Sequence, residues 1–241
     1  MDDFTKQWSG DYLFIPMAIL CKVVLDLQGT LNDALYYCFY YRYTKLEGSQ
    51  AERFEEIQRV LKIKYPNPLR SYNRGKAIFD SIPEKSPKAS IKRDLVFEFL
   101  ERPKNEFQIV CFLAFAALKS MIQRKGYERI TNNKLIRRMA YVGKSDQLPE
   151  WTNQYRKRYH IDKLKRELQL KWKLNLYATN MRGYYASFTM SLKKLAIHAE
   201  AQKKKNQIEI LKQAKVEARI EALRYLGIKR DEQPPLSNNA A

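Results

Sequence analysis

The sequence predicts a mainly α-helical protein with one small β-hairpin and a long C-terminal helix. Three observations carry that reading. Apolar residues recur at three- and four-residue spacing through most of the chain, the pattern of helices with one buried face. Strand-like alternation is confined to WKLNLYATNMRGYYASFTM at 172–190. Residues 191–227, SLKKLAIHAEAQKKKNQIEILKQAKVEARIEALRYLG, consist largely of strong helix formers.

The 241 residues suffice for one large or two small domains with ample apolar content. The net charge is +19, and its placement is uneven. Residues 119–194 hold 19 Lys and Arg against five Asp and Glu, residues 1–118 hold 17 against 15, and residues 195–241 hold nine against six. One segment therefore owns most of the excess. Uncompensated positive charge repels itself in a folded chain, so it points to a polyanionic partner, nucleic acid or an anionic surface. Cys21, Cys38 and Cys111 lack paired or metal-like spacing and sit among apolar residues, as thiols buried in a reducing cytoplasm do. The N-terminal MDDFTKQWSGDY carries no signal pattern, and no apolar run approaches the ~20 residues that span a bilayer. The expectation is a cytoplasmic protein without a membrane partner.

In order along the chain, YLFIPMAILCKVVLDL at 12–27 begins extended, and Pro16 favours a first helical turn. Gly29 reads as a stop and Thr30 as the cap of LNDALYYCFYYRYTKL, apolar almost all round and therefore central to a first module. Ser49 caps ERFEEIQRVLKI, the KYPNP break follows, and PLRSYNRGKAIFDSI forms the next helix. Its Arg70, Arg74 and Lys76 make a secondary candidate DNA-contacting set, although Gly75 disfavours a helix interior. PEKSPKAS at 83–90 marks a boundary. A short helix, IKRDLVFEFLERP, precedes NEFQIVCFLAFAALKSMIQRKG, whose run of apolar residues predicts a buried scaffold helix. The domains expected are 1–85, an N-terminal helical module; 91–200, a second module; 201–230, a C-terminal helix; and 231–241, a disordered tail.

The second module holds the chemistry. Thr131 caps NNKLIRRMAY, with Lys134, Arg137 and Arg138 toward solvent as candidate DNA contacts. After a polar connection, VGKSDQLPE, a basic helix begins between residues 151 and 162. Ile161, Leu164, Leu168 and Trp172 form its narrow docking stripe. Tyr155, Arg156, Lys157 and Arg158 lie ahead of that stripe, while Lys163, Arg166 and Gln169 take other faces. Arginine suits guanine through a bidentate bond, and lysine suits phosphate. A solvated charged face on an ordinary helix has the same pattern. The hairpin follows, with Arg182 at its TNMRG tip where it would reach a backbone or a minor groove.

The order helix, helix, basic helix, hairpin, helix over about 105–200 resembles the winged helix-turn-helix superfamily. Two such modules in one basic chain, the first degenerate and without a clear wing, resemble the tandem winged-helix replication initiators of plasmids. Phage-encoded regulators share the architecture. The resemblance implies sequence-specific binding of double-stranded DNA by residues 155–169 and 182, in a replication initiator or regulator of a bacterial plasmid, phage or other mobile element. It also implies that the N-terminal module helps to form a homodimer. The alternative class is a scaffold that binds RNA or single strands, with YRKRY at 155–159 stacking on unpaired bases.

Enzymatic readings find little purchase. His160 and His198 are far apart and lack partners at ligand spacing, so no metal is expected, and neither GxxxxGK[ST] nor GxGxxG occurs. The sequence predicts a binding protein with no catalytic residue, no cofactor and no small-molecule substrate.

Overall fold

The computed structural model describes residues 11–178 and 183–225. The chain divides into two compact units, Met1–Leu195 and Ala196–Ala241. As the sequence predicts, it is mainly helical with a long C-terminal helix, and a second small antiparallel sheet accompanies the one that holds the expected hairpin strands.

Strand β1 (Tyr12–Pro16) pairs antiparallel with β2 (Lys88–Lys92), placing Leu13 opposite Ile91 and Ile15 opposite Ala89, all buried. Between them lie α1 (Met17–Leu20), α2 (Leu27–Tyr43), α3 (Gln50–Leu61) and α4 (Pro68–Ser81). Helix α2 starts earlier than the sequence suggests. The Asp26 carboxylate accepts from the Gly29 amide at 2.8 Å, which makes Asp26 the cap and puts Gly29 and Thr30 inside the helix. Glycine permits this, because a Cβ on Gly29 would stand 2.0 Å from Asp26 Oδ2. Ser49 and Glu52 form a reciprocal capping box on α3, and Asn67 caps α4 ahead of Pro68.

Helix α4 lies against α2, and Gly75 explains how closely. A Cβ there would sit 2.3 Å from the Tyr36 carbonyl oxygen, so the residue that weakens the helix by propensity is the one its packing demands. Aromatic rings fill the space around the crossing, Tyr43 against Tyr72 at 4.6 Å and Phe39 against Tyr65 at 4.8 Å.

The Pro- and Ser-rich stretch at 83–90 runs directly into β2, and one apolar core is continuous from Leu13 to Ala186. After α5 (Arg93–Glu101) comes α6 (Glu106–Ile122), capped by an Asn105–Gln108 box and buried without interruption from Val110 to Leu118. This is the expected scaffold helix. Strand β3 (Glu128–Ile130), α7 (Asn132–Ala140), α8 (Asn153–Arg156), α9 (Arg158–Trp172), β4 (Asn175–Ala178) and β5 (Tyr184–Ser187) follow.

The sheet order is β3-β5-β4, both pairs antiparallel, with Leu176 and Glu128 each opposite Ala186. Being central, β5 is buried at all four positions, which is why its exposure does not alternate. Strand β3 has no precedent in the sequence reading, since three residues are too few to show a period. The turn residues 179–182, Arg182 among them, and residues 226–241, with the proposed tail, lie outside the described residues.

Helix α10 (Leu192–Tyr225) has 34 residues and exposes Ile208, Leu211 and Val216. Among the described residues, no helix is long and apolar enough to cross a membrane.

Candidate nucleic-acid interface

Helix α9 is seated by Ile161, Leu164 and Leu168, each no more than 1% exposed. At its end Trp172 meets Phe115 of α6 at 4.4 Å, and the same ring meets Phe188, just beyond β5, at 5.2 Å. One aromatic contact set thus fixes both the basic helix and the hairpin on the scaffold. The opposite side of α9 presents Tyr159, Lys163, Arg166, Gln169 and Leu170, all exposed.

The YRKRY segment is not one continuous helix. Lys157 is extended (φ −72°, ψ 137°), so α8 ends at Arg156 and α9 begins at Arg158. That break corrects one candidate. Tyr155 is only 4% exposed and packs against Trp151 and His160, and burial pushes its hydroxyl pKa up to about 12, so it belongs to the core. Tyr159 takes the surface position instead, 72% exposed. In an unbroken helix, residues four apart would share a face, so only the kink separates them.

The cations differ in what they already hold. Arg156, Lys157 and Arg166 are exposed and have no carboxylate partner among the described residues. Arg158 approaches Asp162 at 3.6 Å while remaining 95% exposed. Lys163 lies over the Phe107 ring at 4.7 Å, and Lys165 lies over Tyr184 at 4.6 Å and reaches Asp162 at 3.4 Å.

On α7, Thr131 accepts from the Lys134 amide as predicted. The side chains beyond it are partly committed. Lys134 and Lys125 both bind Glu128, at 2.9 and 3.1 Å. Burial raises the Glu128 pKa, but these two lysines outweigh it and hold the carboxyl below its usual range. Arg137 donates to the carbonyls of Gly143 and Asp146, the latter at 3.0 Å. The Asp146 carboxylate in turn accepts from the Gly143 amide, so the long connection is a tied loop with Arg137 as its strut. Arg138 is half-buried, and desolvation lowers its pKa.

The secondary set is largely spent. Arg74 donates to Asp33 at 2.7 Å and stacks over Tyr36, and Lys76 binds Asp80 at 2.6 Å. Arg70 remains exposed without an ion pair among the described residues.

Beside α9, a cleft is lined by Thr131, Asn132 and Asn133 at the start of α7, Gln169 and Lys165 of α9, and Tyr184 of β5. The Tyr184 hydroxyl is buried and has no hydrogen-bond partner. Cys38 and Cys111 are buried free thiols, with pKa values pushed up by burial to about 12, which disfavours the thiolate. Among the described residues no His, Cys, Asp and Glu cluster could hold a metal ion. Comparison with protein-family models, curated proteins and solved structures returned no match.

Proposed function

We propose that residues 106–187 form a winged helix-turn-helix module that binds duplex DNA in a sequence-specific way and catalyses nothing by itself. In this reading α9 enters the major groove and the β4–β5 hairpin lies along the neighbouring backbone. The observation that carries it is the contrast between the two sides of α9. Its apolar stripe is fully seated, while Arg166 and the preceding Arg156 and Lys157 are exposed and unpaired among the described residues. Lys165 of α9 lies over the Tyr184 ring of β5 at 4.6 Å, a contact between helix and hairpin that supports the same arrangement. Lys157, at the helix N-cap, makes no side-chain cap bond, which leaves the first amides of α9 open to a phosphate.

The reading extends to a replication initiator or regulator of a bacterial plasmid, phage or mobile element, acting on DNA in the nucleoid or on a plasmid. A second copy of the chain is the other partner proposed, with the exposed Ile208, Leu211 and Val216 of α10 available for pairing. Sedimentation of the free protein tests this directly.

The decisive experiment is the triple variant Arg156→Ala, Arg158→Ala, Arg166→Ala, scored by binding to sites selected from random duplexes. Duplex binding is lost while thermal unfolding is nearly unchanged; native-like binding by the variant discards the assignment. The log of the native affinity falls with log salt at a slope near −0.9 per phosphate contacted. A separate observation favours the single-strand reading, namely that the Tyr159 ring is 72% exposed between Arg158 and His160 and free to stack on a base. Competition by unpaired DNA or RNA that outperforms duplex would select that reading.

A further inference from the structure

Next to α7 lies a second basic feature, apart from α9. A cleft of about 610 Å³ is walled by residues 85–87 and Lys88 at the start of β2, the end of α6, β3, and Lys134 and Arg138 of α7. Five cations line it, Lys85, Lys88, Lys125, Lys134 and Arg138, against a single carboxylate, Glu128. Lys125 and Lys134 share that carboxylate, which leaves Lys85, Lys88 and Arg138 without an acidic partner among the described residues. Lys88 is held over the Tyr41 ring at 4.4 Å, so its position is fixed by an aromatic face and not by an anion.

A further observation at Ser86 points to a hydrogen-bond acceptor as the ligand. Ser86, 6% exposed and lining the cleft, keeps a buried hydroxyl with no hydrogen-bond partner, a state that is unfavourable unless something fills it. Cations crowded in this way repel one another until an anion enters.

We propose that this cleft is a phosphate-binding site, in which Arg138, Lys85 and the Ser86 hydroxyl donate to the oxygens of a phosphoryl group and Lys88 supplies further positive charge. The group is carried either by a free nucleotide or by the backbone of a bound nucleic acid. A guanidinium and a hydroxyl donate to phosphate oxygens in fixed directions, and two ammonium groups add charge without directional demand. Arg138 fits the role physically, because a half-buried guanidinium with its pKa lowered by desolvation gains most from an anion. The site stands independently of the α9 reading and gives Arg138 a role in this cleft.

The test is calorimetric titration of the full-length protein with pyrophosphate at low ionic strength. Saturable binding of one pyrophosphate per chain is expected, weakened about tenfold by Arg138→Gln and by Lys85→Ala. Ser86→Ala weakens it without loss of thermal stability, since removing an unpartnered hydroxyl disturbs no native bond. Glu128→Gln tightens it by removing the competing carboxylate, a gain that misfolding does not produce. Arg166→Ala leaves pyrophosphate binding intact even where duplex binding fails, which separates this site from the α9 interface. A selected duplex that displaces pyrophosphate identifies the ligand as a backbone phosphate, and independent binding of the two identifies a free phosphoryl compound. Binding that never saturates, or that is the same in Lys85→Ala, Ser86→Ala and Glu128→Gln as in the native chain, overturns the proposal.

Discussion

Helices α4 and α9 both carry three Lys or Arg side chains that a sequence reader would aim at DNA, and their surroundings treat that charge in opposite ways. On α4, Arg74 and Lys76 are closed onto Asp33 and Asp80, and Gly75 between them is pressed against the α2 backbone. On α9, Arg166 projects with no such partner among the described residues, and Lys163 leans only on an aromatic ring. The difference teaches that local charge density does not measure availability. What matters is whether a carboxylate, from the same helix as Asp80 is or from another as Asp33 is, already holds the cation.

The largest expected effect sits in the segment leading into α9. Tyr155→Ala empties a buried aromatic position and lowers stability by about 3–5 kcal/mol in urea unfolding. Tyr159→Ala, four residues on, changes stability by less than about 0.5 kcal/mol. Equal losses from the two would mean that the break at Lys157 does not exist. Next comes Gly75→Ala, where overpacking against Tyr36 destabilises by about 1–3 kcal/mol. Leu170→Ala, on the exposed side of α9, leaves the unfolding midpoint within error.

A smaller effect compares cations. Arg166→Ala reduces the salt slope of duplex binding by about one unit, whereas Arg74→Ala leaves both slope and affinity unchanged. A loss of affinity with Arg74→Ala would place α4 at the interface after all. The smallest concerns Glu128. Its carboxyl is held below the usual value by Lys134 and Lys125, so its stabilising contribution is present above the unfolded carboxyl pKa and disappears as pH falls through the lower folded value. Glu128→Gln is therefore less stable than the native chain at neutral pH, by under about 1 kcal/mol, and equal to it once both pKa values have been passed. A deficit that persists at low pH would assign the loss to packing.

The scaffold role of α6 is legible because its uninterrupted apolar residues leave no solvent face, and the caps at Ser49 and Thr131 are legible because capping is a local bond. The start of α2 is less so. Asp26 and Thr30 are both competent caps, and the choice depends on the absence of a Cβ at Gly29. Among the candidate residues, the sequence identifies Arg156, Lys157 and Arg166 as cations in or just ahead of α9, and the structure leaves all three exposed. It misplaces Tyr155, and it gives no sign that Arg137 braces the following loop.

By itself, then, the sequence determined which stretches are helical, where the positive charge concentrates and which side of α9 is apolar, because periodicity and composition are properties of neighbours along the chain. Only the tertiary structure decided which cations are paired, that Lys157 breaks the basic segment, that β3 joins the hairpin as a third strand, and that residues 85–88 meet α7 around a basic cleft. Those outcomes depend on groups tens of residues apart coming within a few ångströms, where one carboxylate or one missing Cβ settles what a side chain is free to do.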